Sequence, residues 1–229
     1  LPKEYGGGKA TVIAWIWARS VPSPDPAFSD AEVPIASSFM LNSKKDKEVW
    51  VEPIVEKASK TIRFTIRHGG TKAELSKASE GTKASRGANF RCILSDTAIT
   101  PEYVKECGKT GRLGQMLIGI VAERKGGRAY LAPDDLHESI AFSEDPKWTP
   151  DTVQPHNPRD FRTQLYGMDT FGSIFTARQL VTLNCMLDLL KEVQLLILRD
   201  ANLALREEEA TSLAQEGKGA NAYSDAVAV

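Results

Sequence analysis

The chain has 229 residues, of which 41% are hydrophobic and 26% charged, proportions ordinary for a soluble globular protein. Its 29 Lys and Arg nearly balance 30 Asp and Glu, so a net charge of −1 gives no global pull toward nucleic acid. No apolar run reaches the roughly 18 residues of a membrane span, and no charged stretch leads into an apolar one as in a signal peptide.

Leu1 to Ala10 is Gly-rich and reads as a flexible entry. Val12 to Ala18 is continuously apolar, the pattern of a strand buried on both faces. Pro and Ser then punctuate a loop from Val21 to Pro34. Glu48 to Glu52 and Thr61 to Arg67 are strand candidates, joined by a turn over Lys57 to Lys60. In the second strand Ile62, Phe64 and Ile66 face inward, while Arg63, Thr65 and Arg67 face outward. His68 to Gly87 is rich in Gly, Lys, Ser and Thr and reads as a long mobile loop.

Thr100-Pro101-Glu102 predicts a helix start, with a stop near Gly108. Gly126-Gly127 between apolar runs predicts a hairpin of Gln115 to Glu123 with Arg128 to Leu131. Asp134 to Phe142 predicts a short helix, and Pro146, Pro150, Pro155 and Pro158 an extended linker. Thr176 to Gln179 is a capping box. Leu180, Leu183, Leu187, Leu190 and Ile197 follow at helical spacing, predicting a helix that reaches about Glu209 or beyond and ends by Gly217 and Gly219. The expected fold is α+β: a mostly antiparallel β region over 11–131, then a linker and helical region over 132–229 with one long C-terminal helix.

Charge is polarised along the chain. Lys57, Lys60, Arg63, Arg67, Lys72, Lys77, Lys83, Arg86 and Arg91 are opposed only by Glu74 and Glu80, giving that segment +7. Asp134 to Asp160 carries −5. Nine cations on a hairpin face and a flexible loop are candidate phosphate contacts, with Arg63 and Arg67 the strongest because they sit on a strand. A solvated basic face has the same composition, and the two readings weigh about equally.

Cys92, Cys107 and Cys185 are irregularly spaced, as expected of buried thiols in a reducing compartment, and a cytoplasmic location follows. Two short motifs have the outline of zinc knuckles. Ser23-Pro24-Asp25-Pro26-Ala27-Phe28 has the shape of Cys-Pro-x-Pro-x-Cys, and Cys92-Ile93-Leu94-Ser95 that of Cys-x-x-Cys. A structural zinc site needs four thiolate or imidazole ligands. Of the positions Ser23, Phe28, Cys92 and Ser95, only Cys92 supplies one, so no metal is expected and Phe28 should pack inward instead. No catalytic set converges either. Asn157-Pro158-Arg159-Asp160-Phe161 and Asp145-Pro146-Lys147-Trp148 each lack the second proline of an adenine-holding turn, and no strand leads into a Gly-rich turn able to cradle S-adenosylmethionine.

An ordered series of stretches resembles the central region of DUF1156-type adenine-specific DNA methylases. These are Thr11-Val-Ile-Ala-Trp-Ile-Trp-Ala-Arg19, Ser85-Arg-Gly-Ala-Asn-Phe-Arg-Cys92, Gly108-Lys-Thr-Gly-Arg-Leu-Gly114, Arg128-Ala-Tyr-Leu-Ala-Pro133, Tyr166-Gly167, Phe175-Thr-Ala-Arg-Gln-Leu180 and Ala222-Tyr-Ser-Asp-Ala-Val-Ala-Val229. The resemblance implies a β region derived from a zinc ribbon, with its ligands mostly lost. It implies the middle of a longer restriction-modification type DNA methyltransferase, whose active site and S-adenosylmethionine site lie outside this stretch. DNA is then the expected partner, together with the remainder of the enzyme or another protein. The alternative is a structural or protein-interaction module docking through the long helix.

Overall fold

The computed structural model describes residues 1–157, 159, 162–205 and 211–228. The chain forms two compact units, Leu1–Ile140 with Val153–Asp169, and Ala141–Thr152 with Thr170–Val229. The class is α+β, with antiparallel sheets and a long helix in the C-terminal part. No helix of the described residues is long and apolar enough to cross a membrane.

The first unit holds three antiparallel sheets. In the largest, β1 (Val12–Pro22) lies between β2 (Glu32–Ile35) and β8 (Gly114–Arg124), and β9 (Gly127–Leu131) flanks β8. β2 covers only Arg19–Pro22 of β1. Val12–Ala18 therefore has β8 on one side and, among the described residues, no strand on the other. The apolar run of β1 does not mean burial on both faces: Ile13 is 50% and Trp15 48% exposed. An apolar run reports composition, whereas the pleat sends alternate residues to opposite faces, and the face bearing Ile13 and Trp15 is only half covered, with His137 edge-on to the Trp15 ring at 6.1 Å.

β4 (Val49–Glu56) and β5 (Thr61–His68) form the expected hairpin, in register from Val49↔His68 to Glu56↔Thr61, with β3 (Met40–Asn42) beyond β4. Phe64 is buried beneath it, and Trp50 packs there with its indole Nε1 donating to the Gly69 carbonyl at 2.9 Å. β6 (Phe90–Arg91) and β7 (Ala98–Ile99) make the smallest sheet. Two apolar clusters fill the unit: Val21, Val33, Phe90, Cys92, Leu94, Ile99 and Val104 in one, and Phe39, Trp50, Val51, Phe64 and Ile118 in the other.

The expected loop from His68 to Gly87 is not one. Lys72–Glu80 is a helix, α1. The Thr71 hydroxyl accepts from the Glu74 amide, and the Glu74 carboxylate accepts from the Thr71 amide at 2.7 Å, a complete capping box. Gly69-Gly70 and Gly81 only punctuate it. Gly81 has φ +61°, and a Cβ there would meet the Ala36 carbonyl oxygen at 2.4 Å. The Gly-rich entry is likewise pinned rather than loose, since the Tyr5 hydroxyl donates to the Tyr130 carbonyl at 3.1 Å. α2 (Pro101–Lys109) is capped by Thr100, and α3 (Asp135–Phe142) follows the β8–β9 hairpin.

The second unit is built on α4 (Ala177–Leu205), whose cap has the Gln179 side chain accepting from the Thr176 amide at 2.8 Å. The expected extension to Glu209 falls outside the described residues. Within residues 211–228, a short 3₁₀ turn at Leu213–Gln215 and a further helix, α5 (Ala220–Ala228), stand in place of the single helix expected to end by Gly217 and Gly219. The Ser224 hydroxyl donates to the Gln194 carbonyl at 2.8 Å, joining α5 to α4. Trp148, in the expected linker, is held by Asn184 of α4 through backbone bonds of 2.8 and 3.0 Å.

Candidate nucleic-acid interface

The segment Cys92 to Thr97 is a closed turn. Between β6 and β7 the Cys92 amide donates to the Thr97 carbonyl at 2.9 Å, and the Asp96 amide to the Cys92 carbonyl at 2.8 Å. Asp96 takes the left-handed conformation that closes this turn, at φ +62°. Ser23 and Cys92 meet: the hydroxyl oxygen lies 3.3 Å from the sulfur, and both side chains are buried. Phe28, half-buried, packs against the cluster that contains Cys92. The Asp25 carboxylate accepts from the Ala27 amide at 2.9 Å and fixes the turn that delivers Phe28. Ser95 is spent locally, its hydroxyl donating to Thr97 Oγ1 at 3.0 Å. Among the described residues no three His, Cys, Asp or Glu side chains gather to hold a metal ion.

The nine cations divide into two sets. Four have carboxylates supplied from outside the segment or across the hairpin: Lys60 with Asp30 at 2.8 Å, Arg63 with Glu56 at 3.7 Å, Arg67 with Glu52 at 2.8 Å and Arg91 with Asp96 at 3.2 Å. The hydrogen bond from Lys60 holds the Asp30 carboxyl below the usual range. Arg63 and Arg67 point outward as expected, yet each faces a glutamate of β4, which weakens them as phosphate contacts. The other five, Lys57, Lys72, Lys77, Lys83 and Arg86, are exposed and form no ion pair among the described residues. Lys57 sits in the β4–β5 turn, and the remaining four lie on α1 and the loop after it. The acids of α1 are already engaged. Glu74 closes the cap, where hydrogen bonds from Thr71 lower its pKa, and Glu80 accepts from Ser76 at 3.3 Å.

A second cationic site lay outside the segment singled out by charge counting. A cleft of about 770 Å³ opens between the β3–β4 connection, the end of β5 and the β8–β9 turn. Lys44, Lys47, Arg124 and Arg128 line it, with Asp46 and Glu48 the only acids. The Arg124 guanidinium sits 5.5 Å above the Tyr5 ring, and the Tyr5 hydroxyl lies 2.8 Å from His68 Nε2. Arg124 and Arg128 belong to a second basic stretch, Lys105 to Arg128, with six bases to two acids, and folding brings them together with Lys44 and Lys47.

The two proline strings read as turn-forming loop are described only in part. Lys147 reaches Asp188 at 3.3 Å, and Pro158, Asp160 and Phe161 lie outside the described residues. Comparison of the chain with family models, with curated proteins and with solved structures finds no match.

Proposed function

We propose that this chain is an accessory DNA-contacting or target-recognition segment of an adenine-specific DNA methyltransferase, with the chemistry and the S-adenosylmethionine site carried elsewhere in the parent enzyme. The resemblance of the ordered motifs motivates the reading. The observation that carries it is the run of cations Lys72, Lys77, Lys83 and Arg86 on α1 and the adjoining loop, which form no ion pair among the described residues. A capped helix presents Lys72 and Lys77 at fixed spacing, so little ordering entropy opposes contact with a phosphate backbone. Such contacts are non-specific and release condensed counterions.

The test is duplex DNA binding followed by fluorescence anisotropy over a salt series. The parent chain should bind at low salt, with a slope of about −0.9 per phosphate contact. Changing Lys72, Lys77, Lys83 and Arg86 together to Gln should remove most of that slope. No binding by the parent chain, or an unchanged slope in the variant, would favour the other reading. That reading, a protein-docking module, is supported by the exposed Met186, Leu189, Leu195, Leu196 and Leu203 of α4.

A further inference from the structure

We propose that the cleft beside Tyr5 binds the phosphate groups of a nucleotide-sized ligand. This is separate from the α1 surface and does not depend on it. Lys44, Lys47, Arg124 and Arg128 converge on one concavity from two different connections, and none forms an ion pair among the described residues. Four cations against Asp46 and Glu48 leave an excess of positive charge that a singly charged ligand would not use up. A phosphate ester carries up to two charges and several acceptor oxygens, and the planar guanidinium fork suits it.

The cleft walls are built. The Asn42 side chain accepts from the Lys44 amide at 3.1 Å, and the Lys47 amide donates to the Lys44 carbonyl at 3.0 Å, so the turn carrying both lysines is ordered. The Tyr5 hydroxyl is anchored to the Tyr130 carbonyl and to His68, and its ring supports the Arg124 guanidinium. Gly126 and Gly127 turn the hairpin at φ +85° and +151°, and no side chain stands at either position between Lys125 and Arg128. About 770 Å³ is far more room than one inorganic phosphate fills, and lies within the usual range for small-molecule sites. The phosphates could belong to a free nucleotide or to the terminal residues of a nucleic-acid strand; the recognising chemistry is the same.

Isothermal titration of the full chain at low ionic strength tests this, with a nucleoside triphosphate as the probe. One saturable site is expected. Inorganic tripolyphosphate should compete, because the phosphates carry recognition. Competition by a short single-stranded oligonucleotide identifies a strand as the source, and its failure to compete identifies a free nucleotide. The pair Arg124→Gln with Arg128→Gln, and separately Lys44→Gln with Lys47→Gln, should each weaken the triphosphate by about tenfold or more, with an unchanged thermal transition. The fourfold Gln variant of α1 and its loop should leave this affinity intact, so failure here and failure of the DNA reading are distinguishable. Absence of binding by the parent chain, unchanged affinity in both cleft pairs, or loss of affinity in the α1 variant would overturn the proposal.

Discussion

Ser23 Oγ lies 3.3 Å from Cys92 Sγ, in a position buried from solvent, and Phe28 packs against the same cluster as Cys92. Hydroxyl and thiol meet at two of the four positions that the resemblance assigns to zinc ligands. If the loops descend from a zinc ribbon, the backbone should still suit a metal. The triple change Ser23→Cys, Phe28→Cys and Ser95→Cys should therefore bind about one zinc per chain, while the parent chain binds none. Elemental analysis after dialysis, with cobalt absorption as a check on tetrahedral thiolate geometry, decides it.

Glu52 and Glu56 mask the two arginines of β5. Changing both to Gln frees Arg67 and Arg63 without touching the inward face of the hairpin. DNA affinity should rise at low salt, and the salt slope should steepen by about one to two contacts. An unchanged slope would mean that the hairpin face lies away from DNA.

Gly81 ends α1 where no other residue fits. Gly81→Ala adds a Cβ 2.4 Å from the Ala36 carbonyl oxygen at φ +61°. The chain should lose about 1–3 kcal/mol of stability in urea unfolding. Because α1 presents Lys72 and Lys77, DNA affinity should fall with it.

The α1 cap should be pH-sensitive. Hydrogen bonds from Thr71 lower the Glu74 pKa from its ordinary 4.5. A depressed carboxylate contributes stability above its unfolded value and loses it as pH falls through the folded one. Hydrogen exchange at the first α1 amides should accelerate as pH drops below about 4.5, relative to α2 amides in the same sample. Glu74→Gln should remove the difference.

The hairpins and capped helices were legible because each carries local punctuation: Gly126-Gly127 for β8–β9, Thr100-Pro101 for α2, Thr176 with Gln179 for α4. α1 has the same signature in Thr71 and Glu74, but the flanking Gly, Lys and Ser residues outweighed it as a loop composition. α5 was hidden by its small residues, which pack through Ala220 and Ala222 rather than through a leucine stripe. The charge count found nine cations but not their partners, since Asp30 and Asp96 lie outside the counted stretch and Glu52 and Glu56 come from across the hairpin. Charge counting marks Lys105 to Arg128 as basic, but its meeting with Lys44 and Lys47 is not legible, because Lys44 and Arg124 are 80 positions apart in the chain.

β2 leaves Val12–Ala18 with one uncovered margin, and Ile13 and Trp15 stand beside it. A strand margin with no partner strand among the described residues, flanked by exposed apolar side chains, is a template for adding a strand from another molecule. The consequence is colloidal. When this stretch is purified by itself, its usable concentration should be limited by edge-to-edge stacking of copies, and turbidity should track that margin more closely than net charge.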